Sequence, residues 1–559
     1  MEKRTFNFRR LARIVLSVIA VLIMAVLCTG WYLNRHWNKM LRQELQGYVA
    51  DLSDSLYTVQ FSDLQLNVLS GSVTLTKASM TLDSVVYQRM RASHRAPSSI
   101  YLVSVEKLQL RYFKPWRYFM KKELNAGALV VTAPSIVMLQ DATVKDTTHP
   151  RTAYENISTK MKSIFIGRFQ LDSTNFKYIF TRKDSSRVIH QFRDLRVRVN
   201  DFLIDSLALK DPSRFLYARN YEIGMKDYLH RTKDSLYWMH LRRISYDAAE
   251  QTFNIGQFEI EPRYDKATFQ QKTGYQQDRY DVTFNDIKVH HLNPRLLLQE
   301  QQIWAQQVTI RGGKVNIYRD RTLPMPPGNK LGQFPNQQLE KVQVPLKIDT
   351  LTGSNIGITY TELSPVSGQT GTISFSNVFG RFRNITNIDS LVRKNGHCTA
   401  DLDAIFMQSG KLRARFDFML HNKAGQFAVS GDLKNMNGRD LNAVTQPLGK
   451  VEIKSCNIRH LSFNIKGDER KAAGKVTLLY DNLKIALLKQ DKDHKGFTRK
   501  GLVSFVANIL VIKDSNPLKG EAVRVANPSY SRDIQKSFFN LVWKTLFTGV
   551  KETAGAGNI

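Results

Sequence analysis

Cysteines, catalytic motifs and long apolar runs are all scarce in this sequence of 559 residues. Of its three cysteines, Cys398 and Cys456 could pair in an oxidising compartment or remain buried thiols, but two cysteines make no disulfide framework. No HExxH, GxSxG, P-loop or GxGxxG sequence occurs, and the histidines are not spaced with cysteines or carboxylates as metal ligands would be. We therefore identify no catalytic residue, cofactor site or metal site, which favours a protein that is not an enzyme.

Acidic residues are also few, with 49 Asp and Glu against 81 Lys and Arg, which gives a net charge of +32. Such a charge favours anionic partners such as lipid headgroups, lipopolysaccharide or nucleic acid. Nucleic acid is disfavoured because the basic residues are spread among strands, without a dense basic stretch or a recognisable binding module. The same charges can equally be the solvated face of those strands.

The sequence has a single apolar run that is long enough to cross a membrane. Ile14–Leu33 is twenty residues without a charge, and a helix of that length covers about 30 Å, the thickness of the hydrocarbon core. Five basic residues precede it, so we expect residues 1–13 in the cytoplasm and the bulk of the chain outside. Trp31, Tyr32 and Trp37 would lie in the outer membrane–water interface. A cleaved signal peptide is less favoured, because its apolar run would be shorter and followed by a small-x-small site.

After the anchor, helical spacing over residues 34–56 predicts an amphipathic helix, and then the apolar period changes to two. The clearest strands are Leu402–Phe406, Leu412–Leu420 and Phe427–Gly431, separated by Ser409-Gly410 and Ala424-Gly425. Three alternating strands joined by tight turns predict an antiparallel meander with one apolar and one polar face.

A weak internal repeat runs through the strand region. The three copies are Ile164–Tyr178, Gln307–Tyr318 and Leu346–Tyr360, and each has apolar residues on both sides of a Gly, Asn or Ser cluster. Each copy is predicted to be a hairpin that must stack on its neighbours to bury its apolar face.

Two further segments complete the predicted organisation. A proline-rich loop or linker at 324–345 separates β regions at 57–323 and 346–498, and residues 499–559 are predicted to be helical segments. An apolar stripe that includes Phe539, Trp543 and Phe547 indicates an amphipathic C-terminal helix. This helix could lie at a membrane interface or cap the end of the sheet.

The order of these elements resembles that of bacterial AsmA-like proteins of the Bacteroidetes type, which belong with the TamB-like, bridge-like lipid-transfer group. The resemblance covers most of the chain as diffuse patterns. It is carried by the anchor and its following helix, by Tyr57–Phe61 and Gly71–Leu75, by the long run of strands, and by Gly474–Ile485, Asn516-Pro517 and Phe539–Gly549.

This resemblance implies a protein anchored in the bacterial inner membrane by one helix, with its bulk in the periplasm. The implied fold is mainly β: the anchor is followed by an elongated, mostly antiparallel, repetitive β-sheet groove and a C-terminal amphipathic helix. The implied role is to shield or conduct the acyl chains of membrane phospholipids, in support of phospholipid transport and outer-membrane homeostasis.

The candidate groove residues lie on the apolar face of the predicted meander. They are Leu402, Phe406, Leu412, Phe416, Phe418, Phe427 and Val429. The alternative is that this face packs against a second sheet, as in a β-sandwich. A second functional hypothesis is a non-enzymatic scaffold or assembly factor, whose edge strands receive outer-membrane proteins or other envelope proteins.

Overall fold

The computed structural model describes residues 47, 49–50, 53–67, 71–114, 117, 120–144, 152–158, 161–211, 213–488 and 512–555. Strand accounts for 55% and helix for 16%, so the predicted mainly β class is confirmed. The strands form one mixed sheet of 21. The chain divides into two compact units, Met1–His230 with His240–Ile255 and Arg231–Met239 with Gly256–Ile559.

The strands follow one another closely along the chain. They are β1 (Tyr57–Gln60), β2 (Asp63–Asn67), β3 (Ser72–Leu82), β4 (Ser99–Arg111), β5 (Glu123–Thr132), β6 (Ser135–Asp141), β7 (Ser163–Thr181), β8 (Arg187–Ile204), β9 (Asn220–Arg231), β10 (Tyr237–Asp247), β11 (Thr252–Pro262), β12 (Arg279–His290), β13 (Ile303–Asp320), β14 (Leu346–Leu363), β15 (Thr370–Thr386), β16 (His397–Phe406), β17 (Gly410–Met419), β18 (Phe427–Asn437), β19 (Val451–Gly467), β20 (Lys471–Leu487) and β21 (Ser529–Ser531).

The described helices are short, except for the last. They are α1 (Ser84–Ala92), α2 (Ala153–Ile157), α3 (Lys266–Thr273), α4 (Pro335–Glu340), α5 (Asp389–Val392), α6 (Asn442–Gly449) and α7 (Phe538–Thr553). A π-helical turn at Leu296–Glu300 and a 3-10 turn at Gly438–Leu441 interrupt the strands.

Most strand pairs are antiparallel, but the sheet also contains parallel pairs. In the first unit β7 runs parallel to both β5 and β6, and in the second unit β13 runs parallel to β14. The predicted meander is confirmed, because β16 pairs antiparallel with β17 and β17 pairs antiparallel with β18. The second turn contains the predicted Ala424-Gly425, and Gly425 has a φ of 66°. The first turn is residues 407–409, with the left-handed residue at Met407, and Gly410 already belongs to β17.

The predicted hairpin repeat is wrong. Each of its three copies is one continuous strand, namely β7, β13 and β14. The residues that suggested turns have left-handed backbone conformations inside these strands, with φ of 53° at Ser173, 94° at Gly312 and 53° at Asn355. Glycine and asparagine adopt this conformation at little cost, and in a strand that remains paired it produces a β-bulge instead of a reversal.

The bulges of neighbouring strands lie opposite one another in the second unit. Asp286 on β12, Gly312 on β13, Asn355 on β14 and Asn377 on β15 all have positive φ. On β13, Gly312 lies between Arg311, which pairs with Ser354, and Gly313, which pairs with Ile356. On β14, Asn355 lies between the same two pairs, so the two residues are opposite one another. A bulge bends its strand and increases the local twist, so these aligned bulges bend four adjacent strands along one line.

The first unit has a dense apolar core on one face of its strands. Leu124 and Leu129 on β5, Leu110 on β4 and Ile164 on β7 are each at most 1% exposed. Ala153 and Ile157 of α2 belong to the same cluster of buried side chains. This part of the sheet is therefore closed over a conventional core.

In the second unit, α7 packs on the sheet at β19–β21. The helix begins at Ser537, whose hydroxyl accepts a hydrogen bond from the backbone N–H of Asn540. It buries Phe538 and Leu541, and Gly549 allows a close approach, because a Cβ there would meet the Val476 side chain at 2.6 Å. The predicted amphipathic helix is thus present and covers part of the sheet.

The proline-rich segment 324–345 lies within the second unit and is fixed to it. It contains α4, and the Phe334 side chain just before this helix is fully buried. The backbone N–H of Gly332 donates to the carboxylate of Glu469, at 2.6 Å.

Several predictions fall on residues that the structure does not describe. They include the anchor at 14–33, its interfacial residues Trp31, Tyr32 and Trp37, and most of the helix at 34–56. Within the described part of the chain, no helix has both the length and the apolar character needed to cross a bilayer.

The two cysteines of the strand region are free thiols and form no disulfide. They belong to different groups of packed side chains. Cys398 is buried in the group that includes Phe334 and Phe538, and Cys456 packs against a second group around Tyr480, which we call the Tyr480 cluster. Burial raises the pKa of each thiol to about 11, with smaller contributions from Asp417 at Cys398 and Asp481 at Cys456.

Candidate functional site

One face of β12–β16 carries apolar side chains in continuous cross-strand rows, which we call the apolar strip. Each row lists residues that are directly opposite one another on neighbouring strands, in the order β12 to β16. On one side of the bulges the rows are Tyr280–Ile317–Tyr360–Ile373 and Val282–Val315–Ile358–Phe375–Phe406. On the other side they are Ile287–Ile310–Gly353–Gly380–Leu402 and Val289–Val308–Leu351–Phe382–Ala400. Directly opposite residues on paired strands bring their side chains together. Gly353 and Gly380 have none, and the Ile356 and Leu402 side chains lie close to these two glycines. The strip is therefore one connected surface across five strands.

The other face of the same strands is polar. A row that alternates with the apolar strip runs Lys288–Thr309–Thr352–Arg381–Asp401. Arg383 and Arg415 both pair with Asp401 on this face. In such a sheet the apolar face favours burial and the charged face favours solvent, because only apolar surface gains free energy by leaving water.

The apolar strip is only partly covered. Val282, Val308 and Ala400 are buried, whereas Ile358, Phe375 and most other members of the rows are half-buried. The rings of Phe375 and Phe406 lie 5.2 Å apart and continue the surface from β15 to β16. The strip therefore retains apolar surface that another molecule can cover.

Beyond β16 the same face is closed by helices. Phe538 of α7 contacts Phe427 at 4.8 Å, Phe418 at 5.5 Å and Phe334 at 5.2 Å between ring centroids. These rings form the helix-covered cluster, which also includes Val429 and Ile465.

The structure divides the seven candidate groove residues between these two regions. Phe418, Phe427 and Val429 are buried in the helix-covered cluster, and Phe416 packs against it with its ring 6.4 Å from that of Phe538. Leu402 and Phe406 are half-buried members of the apolar strip, and both Phe406 and Leu412 pack against the neighbouring Tyr480 cluster. Sequence periodicity placed all seven on one face, but it could not show which of them α7 covers.

The apolar strip ends in charged residues at the ends of β13 and β14. Arg319 follows Ile317 on the same face and lies opposite Glu362, which follows Tyr360. Arg319 donates two hydrogen bonds to the carboxylate of Asp278, at 2.7 and 2.8 Å. Burial alone would lower the pKa of Arg319, but Asp278, with Tyr360 and Glu362, outweighs burial and raises that pKa.

Two tyrosines lie between the apolar and charged parts of this face. Burial, and then Asp278, raise the pKa of Tyr280 to about 12. Burial likewise raises the pKa of Tyr360, whose hydroxyl donates to Glu362 at 3.0 Å. The face thus changes from apolar to amphipathic to charged along the strands.

The C-terminal candidates for a membrane interface form an exposed aromatic patch. On α7, Phe539 is 66% exposed, Trp543 43% and Phe547 40%. The rings of Trp543 and Phe547 stack with 5.7 Å between centroids, and the ammonium of Lys551 lies 5.8 Å from the Phe547 ring. The helix therefore caps the sheet with one side and presents aromatic rings beside a cation on the other.

Two histidines lie side by side on one face of β8 and β9 in the first unit. The His190 and His230 rings stack 5.3 Å apart, and His190 Nδ1 lies 2.9 Å from the Tyr228 hydroxyl. Burial lowers the pKa of both histidines, and His230 lowers that of His190 further. Both rings are therefore favoured in the neutral form, as a half-buried apolar face requires.

Sequence reasoning did not identify the charged end. A signal was present, because the alternation Val315, Ile317 continues to Arg319, and Ile356, Ile358, Tyr360 continues to Glu362. Asp278 gave no such signal, since it lies just before β12 and meets Arg319 only through strand pairing.

No protein-family model matches the sequence, and no curated protein matches it significantly. The fold and its candidate site define a β-sheet protein with a one-sided, partly open apolar strip that ends in charged residues.

Proposed function

We propose that this protein shields or conducts lipid acyl chains on the apolar strip of its second unit. One observation carries the proposal: connected apolar rows on five adjacent strands remain only partly covered, while the reverse face is polar and charged. The sequence supports a membrane setting through the apolar run at 14–33 and the resemblance to AsmA-like proteins.

The dimensions of the strip suit an acyl chain. From Tyr280 to Val289 the strip follows β12 for about 30 Å, and the four strand spacings from β12 to β16 measure about 19 Å. Each methylene that leaves water gains about 0.8 kcal/mol, so several methylenes bind without any specific polar contact. Non-specific apolar contact suits a protein that must release its lipid as well as hold it.

The proposal places the protein in the bacterial inner membrane by a single anchor, with its bulk in the periplasm. Its partners are membrane phospholipids and, in the envelope, candidate outer-membrane proteins, and its role is phospholipid transport that supports outer-membrane homeostasis. It needs no enzymatic step and no nucleic acid. The aromatic patch of Phe539, Trp543 and Phe547 would contact a membrane surface beside Lys551.

The test uses two neighbouring residues of β14 that point to opposite faces. Ile358 belongs to the apolar strip, whereas Thr359 pairs with Asn316 and Ser374 on the polar face. The full chain and the variants Ile358→Asp and Thr359→Asp are purified from a bacterial envelope in a mild non-ionic detergent, and bound phospholipid is quantified by mass spectrometry.

We expect wild type and Thr359→Asp to retain phospholipid and Ile358→Asp to lose most of it, because a carboxylate in the strip must be desolvated by an acyl chain. Thermal unfolding of both variants controls for folding. A folded, lipid-free wild-type protein would overturn the proposal, and co-purifying envelope proteins would then favour the scaffold hypothesis.

A further inference from the structure

A surplus of positive charge lies beside the charged end of the apolar strip. It comes from Lys330, in the segment that follows β13, and Lys536, which lies two residues before α7. The nearby carboxylates are already engaged, since Asp278 binds Arg319 and Glu362 binds Arg321 at 2.7 Å. Among the described residues, no carboxylate lies within ion-pairing distance of either lysine, and Lys536 Nζ donates only to the Met325 sulfur, at 3.4 Å.

A buried arginine holds the two lysines together. Arg532 is 8% exposed, and its guanidinium donates to the backbone carbonyls of Lys330, at 2.8 Å, and Lys536, at 3.0 Å. The backbone N–H of Lys330 donates to the carbonyl of Ile534, at 2.7 Å. The guanidinium also lies 4.3 Å from the centroid of the fully buried Phe334 ring. Two segments that are distant in sequence are thus joined at the point where both present a lysine.

The two ammonium groups repel one another and their neighbours. Burial lowers the pKa of Lys330, as do Arg319, Lys536 and Arg532, against the smaller opposing effect of Asp278. Burial also lowers the pKa of Lys536, as do Arg321 and Arg319, against the smaller opposing effects of Asp533 and Glu362. Half-buried cations that lack an anionic partner cost free energy, and a bound anion would recover it.

We propose that Lys330 and Lys536 bind a phosphate group, and that this phosphate belongs to the headgroup of a phospholipid whose acyl chains lie on the apolar strip. The proposal rests on the proposed function and adds the headgroup chemistry to it. Ammonium groups bind phosphate through short charge-assisted hydrogen bonds. The placement fits an amphiphile, because the charged end, Tyr360 and Ile358 follow one another along β14.

Free phosphate has the same chemistry as the headgroup, so the experiment compares three probes. The full chain in a non-ionic maltoside detergent is titrated calorimetrically with dihexanoyl phosphatidylglycerol, with dihexanoylglycerol, which lacks the phosphate, and with inorganic phosphate. The variants are Lys330→Gln/Lys536→Gln, the charge-preserving Lys330→Arg/Lys536→Arg, and Lys411→Gln as a control. Lys411 is an exposed lysine of β17 that lies on the polar face opposite Ile405.

We expect the double glutamine variant to bind phosphatidylglycerol at least about tenfold more weakly and to bind dihexanoylglycerol unchanged. The double arginine variant and Lys411→Gln should keep the wild-type affinity for both lipids. Rescue by arginine establishes that a cation is needed at these positions and that the loss does not come from misfolding.

The inference is overturned if the double glutamine variant binds phosphatidylglycerol as tightly as wild type. If wild type and that variant also bind dihexanoylglycerol equally well, the proposed function remains supported. Lysine-dependent binding of inorganic phosphate without binding of either lipid would overturn the headgroup assignment and the proposed function together. The site would then be one for free phosphate.

Discussion

Removing the Phe538 ring tests whether α7 closes the sheet beside the apolar strip. Phe538 is 3% exposed, and four aromatic rings lie within 5.5 Å of it: the buried Phe334, Phe418 and Phe427, and the exposed Phe539 at 5.2 Å. A buried Phe→Ala substitution costs about 3–5 kcal/mol, and aromatic pairs add to area burial. We expect Phe538→Ala to lower the free energy of local opening of α7 by about 4 kcal/mol.

The neighbouring residue provides the control, since Phe539 is 66% exposed on the same helix. Phe539→Ala should change the opening free energy by about 1 kcal/mol or less. Hydrogen exchange of the α7 amides, measured by mass spectrometry, reports this opening. At 1.4 kcal/mol per tenfold, exchange should accelerate on the order of 10²–10³-fold in Phe538→Ala and at most a few-fold in the control. Equal acceleration in both variants would refute the packing described for α7.

Three further predictions concern charged and titratable groups. Lys330→Gln should raise the melting temperature at neutral pH, because the lowered pKa of this lysine means that folding disfavours its charged form. This gain in melting temperature should vanish as the pH rises from the folded pKa of Lys330 towards its unfolded value of 10.5. Burial lowers the pKa of His190 from 6.5, so the unfolded state binds more protons than the folded state as the pH falls below 6.5. The urea midpoint of unfolding should therefore decrease between pH 7 and pH 5, and it should decrease less in His190→Gln. Asp278→Asn should cost about 1–3 kcal/mol in urea unfolding, because it leaves Arg319 without its carboxylate. Arg413→Gln, at an exposed ion pair, should cost less, and the reverse order would contradict the burial of the first pair.

The meander could be predicted because its local signals agree. Period-two alternation in β16, β17 and β18 is interrupted at Ser409-Gly410 and Ala424-Gly425. The second turn contains its predicted pair, and the first, at residues 407–409, overlaps its predicted pair at Ser409. The same kind of signal misled at Asn355 and Ser173, where a residue suited to a turn sits in a bulge. Turn and bulge both use a left-handed residue, and only strand pairing at long range distinguishes them.

The candidate site was only partly predictable for a similar reason. Alternation placed Phe406 and Phe427 on one apolar face, but their burial differs. Phe427 is buried against Phe538 of α7, more than a hundred residues later in the chain, whereas Phe406 is half-buried beside the Tyr480 cluster. Lys330 and Lys536 are separated by most of the second unit, and they meet because the buried Arg532 binds both backbone carbonyls. No periodicity records that contact.

Photo-crosslinking in living cells tests the central claim most directly. A benzophenone amino acid is introduced into the full chain at Ile358 on the apolar strip, or at Thr359 on the polar face, and irradiated protein is analysed by mass spectrometry. We predict phospholipid adducts at position 358 and none at 359. Adducts at neither position, or equal adducts at both, would contradict a lipid-binding apolar strip.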